Sequence, residues 1–277
     1  MLIKKSSRAT SPADMREQGS TSSPPRRPAL EKSAPWLAAA GILVLWQVGI
    51  VVFGVPEYIA PTPVAIAKTF VEWGPVLLQN FIPTALESLA GFVAGNTVAI
   101  IISVAFVHNA TVERAFYPIA VFINTIPILA IAPILVLIFG TGYAPKVAIA
   151  ALISFFPTLV NVIRGLKSVT PQELELMRVL SASEWEVFWK IRVYRSLPYL
   201  FAALKIASTT CVIGAIVGEW IGSNFGLGAL IIDATFNYRS ALLYATIFLS
   251  SGLAVLFFSF VSLAERLVIR WDTGQQT

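Results

Sequence analysis

One cysteine and one histidine are all that this 277-residue sequence offers to a metal ion or a catalytic triad. Cys211 by itself forms no intramolecular disulfide and no cysteine-built zinc site, and His108 by itself builds neither a histidine metal cluster nor a Ser-His-Asp arrangement. Charge is scarce as well: 13% of residues are Asp, Glu, Lys or Arg, 56% are hydrophobic, and mean hydropathy is +0.76. An ordinary soluble domain carries about 25% charged residues, so the composition reads as an integral membrane protein. No G-x-x-x-x-G-K-[ST] phosphate loop occurs, so this chain brings no nucleotide chemistry of its own. The formal net charge of +5 does not point to nucleic acid, because the basic residues lie mostly between apolar runs, where they set orientation against anionic lipid.

What is present is a series of six apolar runs, 33–56, 88–107, 115–145, 147–163, 199–221 and 240–264. Each is read as one crossing, for which about 20 residues are needed. The third holds a single span over about 118–139, ended by GTGYAP, and the fifth carries Lys205 near its start and Glu219 near its end, close to the interfaces. The fold class expected is all-α, a polytopic membrane protein with about six transmembrane helices. Residues 1–33, with seven Lys/Arg and the run STSSPPRRP, read as a disordered tail rather than a signal peptide. The membrane domain follows over 34–265, and 266–277 form a C-terminal tail. Sixteen of the 20 Lys/Arg fall in the N-terminal tail, the 108–115 connection, the stretch leading into and through 170–198, and the C-terminal tail. The positive-inside rule puts those segments and both termini in the cytoplasm of a bacterial inner membrane.

Local signals refine the connections. Thr62-Pro63 is an N-cap followed by proline at the first helical position, which predicts a short helix over 64–78 on the outer surface. The glycines of GSNFGLG, 222–228, suggest a tight turn near a pore mouth, although both segments read equally as plain connectors. Gly91 and Gly95 form a small-xxx-small packing pair, Glu87 reads as interfacial, and Cys211 as a small core residue.

The stretch 170–198, TPQELELMRVLSASEWEVFWKIRVYRSLP, is a charged island in this oily chain. Thr170-Pro171-Gln172-Glu173 is a capping box with proline at N1, and Ser183-Glu184-Trp185-Glu186 is a second box. The spacing predicts a helix carrying an apolar stripe of Leu174, Met177 and Leu180 with Leu176 alongside, a break at 181–183, and a second helix to about Ser196. An exposed apolar stripe marks a docking surface, while Trp185, Phe188, Trp189 and the nearby Lys190, Arg192 and Arg195 also suit a helix resting on lipid headgroups.

At these residues the island resembles the EAA loop of ABC importer permeases, whose pattern is roughly E-x-x-x-A, three residues, Gly, then a stretch closed by a hydrophobic residue and Pro. Glu173 matches the acid, Met177 stands where alanine is usual, Ser181 where glycine is usual, and Leu197-Pro198 closes the motif. NTIPILAIAPILVLIFGTGYAPK (124–146), ALISFFPTLVN (151–161), RSLPYLFAALKIA (195–207) and IVGEWIGSNFGLGALI (216–231) are similar to the nitrate, sulfonate, taurine and pyrimidine-precursor branch of that family. The resemblance implies a type I importer permease working by alternating access. It would act as one of two permease subunits, a homodimer here, with a cytoplasmic ATPase dimer and an extracytoplasmic substrate-binding protein. No cofactor is expected on this chain; ATP and Mg belong to the partner. Glu173, Leu174, Met177, Leu180, Ser181, Ala182 and Ser183 would carry ATPase coupling.

Polar or kink-forming residues inside spans mark candidate path positions: Asn124, Thr125 and Pro127, then Ser154 and Asn161, then Ser208 and Glu219. Ser, Thr and Asn equally join helices through hydrogen bonds. Glu219 is expected to have a structural or gating role, neutralised by Lys146 or Arg239. The expected cargo is a small solute, either a nitrate-, sulfonate- or taurine-like anion or a pyrimidine- or vitamin-precursor-like compound. An ion-coupled carrier or a membrane scaffold or sensor are the rival readings; the spans lack the mid-membrane acid or histidine relay that proton coupling tends to use.

Overall fold

The computed structural model describes residues 28–269, with side chains from residue 34 onward. The expected tail 1–33 therefore lies outside the described residues apart from 28–33, which are already helical, and the C-terminal tail is described only to residue 269. The chain divides into two compact units, one ending at Val48 and one starting at Gly49. Helix α1, Pro28–Val52, is an apolar helix of 25 residues that crosses that boundary.

The rest is helical throughout. Helix α2, Pro63–Glu72, starts where expected, with the Thr62 hydroxyl accepting from the Ala65 amide at 3.2 Å. It ends at Glu72 rather than at 78, because Trp73 leaves helical geometry and α3, Gly74–His108, restarts at once with a proline in its first turn. Its 35 residues begin well before the uncharged run at 88. The polar side chains that shortened that run, Asn80, Thr84 and Glu87, are buried inside the protein.

The third apolar run is not the single span expected. It forms α4, Ala110–Thr125, and α5, Ile128–Phe139, which meet at 100°. Pro127 has no N–H to donate and pushes Ile126 into extended backbone (φ −72°, ψ 125°), so the helical ladder stops there. Then come α6, Tyr143–Leu166; α7, Pro171–Val179; and α8, Glu184–Val187. A π-type turn over Phe188–Arg192 leads into α9, Val193–Glu219. The island's second helix consequently does not end at Ser196: Pro198 lies inside α9, and the extra residue of the π-turn lets the helix carry on through it. Helix α10, Leu227–Phe236, occupies part of what was read as a connector, and α11, Ser240–Val268, closes the fold. Five described helices are long and apolar enough to cross a membrane, and the bent pair α4–α5 supplies a sixth crossing when counted as one.

Helix α6 sits between α3 and α9, and glycine sets the separation. A Cβ at Gly91 would lie 2.4 Å from Ala150 Cβ, and one at Gly95 would lie 2.3 Å from the Ala151 carbonyl oxygen. On the other face, a Cβ at Gly214 would meet Ala150 Cα at 2.7 Å and one at Gly218 would meet Lys146 Cα at 2.9 Å. Two small-xxx-small pairs thus clamp α6 from both sides. Ala150, Cys211, Val212, Ala215 and Leu253 fill the core beside them, and Ala99, Phe106, Leu159 and Ile163 continue it along α6. Gly95→Val should destabilise the fold by about 1–3 kcal/mol, because the obstacle is backbone and cannot rotate away. Gly252→Val, at a position with open space around it, should leave the melting temperature in detergent unchanged. Equal melting temperatures for the two variants would contradict this packing.

Candidate functional site

The island is built by local hydrogen bonds. The Thr170 hydroxyl accepts from the Glu173 amide at 3.3 Å while Glu173 Oε2 accepts from the Thr170 amide at 2.9 Å. Ser183 and Glu186 repeat this reciprocal cap at 3.3 and 3.0 Å. Between the boxes the Ser181 amide donates to the Arg178 carbonyl (2.9 Å) and the Ala182 amide to the Met177 carbonyl (3.0 Å). That pair of bonds is a Schellman closure, and it requires a left-handed residue at its centre. Ser181 adopts it with φ 53°.

Burial redraws the expected stripe. Met177 is 7% exposed and turns inward, and Leu174 is half-buried, whereas Leu176, Val179 and Leu180 are 58%, 81% and 66% exposed. The outward apolar face of α7 is therefore Leu176, Val179 and Leu180. Ser181 and Ser183 are exposed at the tip, and Ala182 is half-buried. Phe188 anchors the second arm: it packs on Val162 and Leu166 with its ring 4.8 Å from that of His108, leaving Trp185 and Trp189 outside. Arg195 of α9 donates to the Glu173 carboxylate, its Nε at 2.9 Å, tying α7 to α9. That guanidinium, followed by the Thr170 amide, holds the Glu173 carboxyl below its ordinary value. A depressed value means that the brace is fully present above the ordinary value of 4.5 and lost as pH falls through the folded one.

Halfway along the bundle, the α4–α5 break opens a cleft of about 390 Å³. Asn124, Thr125 and Pro127 line it together with Ile131, Phe155 and Phe156. These three are the path candidates that the structure brings together. The others lie apart. Ser154 donates to the Ala150 carbonyl (2.8 Å), Asn161 to that of Pro157 (2.7 Å) and Ser208 to that of Lys205 (2.8 Å), each bonding its own helix.

Glu219 belongs to a buried polar knot at the end of the bundle opposite the island. It accepts from the Thr84 hydroxyl and from the Gly228 amide, both at 2.6 Å. Thr84 in turn accepts from the Leu227 amide (2.8 Å), and Asn80 Oδ1 from the Gly226 amide (2.8 Å). The 222–228 segment is thus stitched to α3 by its own backbone. Lys146 does not neutralise Glu219 as expected; it bonds Glu87 Oε1 at 3.0 Å and Ser223 Oγ at 2.7 Å. Arg239 instead lies near Asp233 and over the Trp73 ring. Glu87, expected at an interface, is 1% exposed; its Oε1 accepts from Lys146, and its Oε2 has no hydrogen-bond partner among the described residues. Sequence reasoning missed Asn80 and Thr84 and misplaced Glu87. The signal was available in the 80, 84, 87, 91, 95 spacing of polar and small residues along one face of α3.

Residues 95–270 match the family described as binding-protein-dependent transport system inner membrane component. The formylaminopyrimidine transport permease protein ThiX of Halalkalibacterium halodurans is 34% identical over 242 residues, which cover 87% of this chain and 96% of that protein. The riboflavin transport system permease protein RibX of Chloroflexus aurantiacus is 30% identical over 235 residues (84% and 88%). The putative aliphatic sulfonates transport permease protein SsuC of Bacillus subtilis is 28% identical over 242 residues (87% and 88%). Among solved structures, an inward facing conformation of the MetNI methionine ABC transporter superposes with TM-score 0.57 at 20% identity, covering 73% of this chain and 98% of that one. This last likeness is one of fold.

Two outcomes follow from the geometry. Lys146→Met leaves Glu87 buried without its cation and should cost about 3–5 kcal/mol; adding Glu87→Gln should restore much of the loss, as read by thermal unfolding in detergent. Ser181→Gly removes the strain of a side chain in left-handed backbone and should stabilise the turn by about 1 kcal/mol, slowing hydrogen exchange across 178–183. Unchanged or faster exchange in that variant would contradict the strained turn.

Proposed function

The chain belongs to the family of binding-protein-dependent transport system inner membrane components, and from that premise we propose that it is the membrane-spanning subunit of an ATP-driven importer, a homodimer that moves a small solute by alternating access. The carrying observation is the outward knuckle of Leu176, Val179 and Leu180 around the Ser181 turn. Apolar side chains on a short, doubly capped helix at one end of a membrane bundle suit a groove on a soluble partner. That partner is a cytoplasmic ATPase dimer carrying ATP and Mg, consistent with the lack of a phosphate loop in this chain.

The charge pattern of the sequence supports an orientation in which the island and both termini face the cytoplasm, leaving the Glu219 end to meet an extracytoplasmic binding protein. Within the coupling set, Glu173 positions α7 through Arg195, while Leu174 and Met177 seat it on its own subunit. Leu180, Ser181, Ala182 and Ser183 shape the tip. Alternation requires a mechanical link, and α9 supplies one, because it is continuous from the island to Glu219. The relatives named for formylaminopyrimidine, riboflavin and aliphatic sulfonates support two cargo classes, heteroaromatic compounds and oxyanions.

In membrane vesicles containing the assembled transporter, uptake should depend on ATP and be blocked by vanadate. Leu180→Asp should insert normally, yet lose the ATPase on co-purification and cut uptake at least about tenfold, the cost of placing one charge in an apolar groove. Uptake at the normal rate in that variant would return the island to the lipid surface.

A further inference from the structure

The cleft at the α4–α5 break carries information about the cargo. It lies at mid-height, since its far wall is the 152–156 segment in the middle of α6. Irregular backbone at that depth is tolerated only where protein covers it or where it lines a water-filled cavity, because hydrocarbon cannot satisfy the freed polar groups. The Asn124 side-chain amide is exposed and has no hydrogen-bond partner among the described residues. The Thr125 hydroxyl donates to the Phe122 carbonyl at 2.7 Å, leaving its lone pairs to accept from the cleft. Opposite stands Phe156, with Ile131 and Phe155 nearby.

No lining residue is charged. Of the four cations in α6 and α9, Lys146, Lys205 and Arg195 are each bonded to an acid, Glu87, Glu265 and Glu173, and none of the four, Arg164 included, lines the cleft. A second copy of the same chain would add only the same uncharged lining. An oxyanion held at this depth would thus be desolvated with no cationic side chain to meet it, and the partial positive charge at the start of α5 does not balance a full negative charge. An uncharged planar ring finds what it needs here: aromatic and aliphatic faces, an amide able to donate and accept, and a hydroxyl acceptor.

Resting on the importer reading above, we infer that the α4–α5 cleft is the cargo's mid-membrane site and that the cargo is an uncharged heteroaromatic compound with ring-edge hydrogen-bonding groups, not a sulfonate or nitrate. Asn124 bonds the ring edge, and Phe156 packs on its face. Both copies in the dimer present the same cleft, so the path is uncharged on either side at this level.

The test uses the complete transporter, with its ATPase and binding protein, in proteoliposomes offered radiolabelled 4-aminopyrimidine, ethanesulfonate or nitrate. ATP-dependent uptake of the aminopyrimidine should exceed that of either anion at least tenfold. Asn124→Ala and Phe156→Ala, with rates normalised to assembled complex, should each lower it at least fivefold while ATP hydrolysis persists. ATP-driven uptake of either anion in preference to the ring overturns the cargo class and leaves the importer standing. Aminopyrimidine uptake that neither substitution reduces overturns the assignment of the cleft. Absence of ATP-driven uptake for all three probes overturns the importer reading and the cargo class together.

Discussion

The close approach of three helix backbones is the constraint on which the rest of the protein depends. Lipid tails offer no hydrophobic drive for one apolar helix to leave them for another, so α3, α6 and α9 are held by contacts available only at short range. Gly91 and Gly95 on one side and Gly214 and Gly218 on the other remove the side chains that would keep α6 at arm's length. With backbones this near, residues one turn away are forced into shared interior space. Glu87, Lys146 and Glu219 are the consequence: each comes from a different helix of the three, and none would persist at that depth alone.

Their arrangement ties the membrane core to the chain that leaves it. Gly226 shows how tightly: with φ 115° and a notional Cβ only 2.0 Å from Glu219 Oε1, the position accepts no other residue in this conformation. Glu219 thus supplies part of the cap that the start of α10 needs, accepting the Gly228 amide while Thr84 accepts that of Leu227. At the opposite end, Arg195 grips Glu173. One helix of 27 residues, about 40 Å at 1.5 Å per residue, carries both connections. Any tilt of α9 must move the island and the 222–228 segment together.

Legibility in the sequence tracked the range of the interaction. The two capping boxes and the Thr62 cap were readable because four adjacent residues determine each. The number of apolar spans was readable from hydropathy, with α4–α5 counted as one. The α4–α5 break was not, since the run 115–145 stays uncharged on both sides of Pro127 and composition does not report a bend. Pro198 misled in the opposite direction: it ended a helix on paper, whereas the π-turn ahead of it let α9 continue. Glu87 was misplaced because its partner is 59 residues away, and an acid whose cation is unknown reads as interfacial. Met177 was assigned outward by its spacing with Leu180, though Leu176 and Val179 hold the exposed face. Periodicity identifies a stripe but not which side of a two-sided helix the membrane domain claims.

The polar atoms inside the spans fall into two populations. Ser154, Asn161, Ser208, Thr84 and Glu219 are bonded to helix backbone or to one another, and Thr158 is bonded to Asn96 across helices; such atoms stabilise one packing and have little capacity left for a ligand. Asn124 and the interrupted backbone beside Pro127 are not consumed in this way, and α4–α5 is the one described span whose ladder is broken midway. A membrane protein tolerates unsatisfied groups at that depth only where protein covers them or where they line a water-filled cavity. The polar knot and the open break are thus complementary uses of the same costly resource. Polar groups at the Glu219 end are spent on holding helices together, and those at the break are left open on the cleft between α4 and α5.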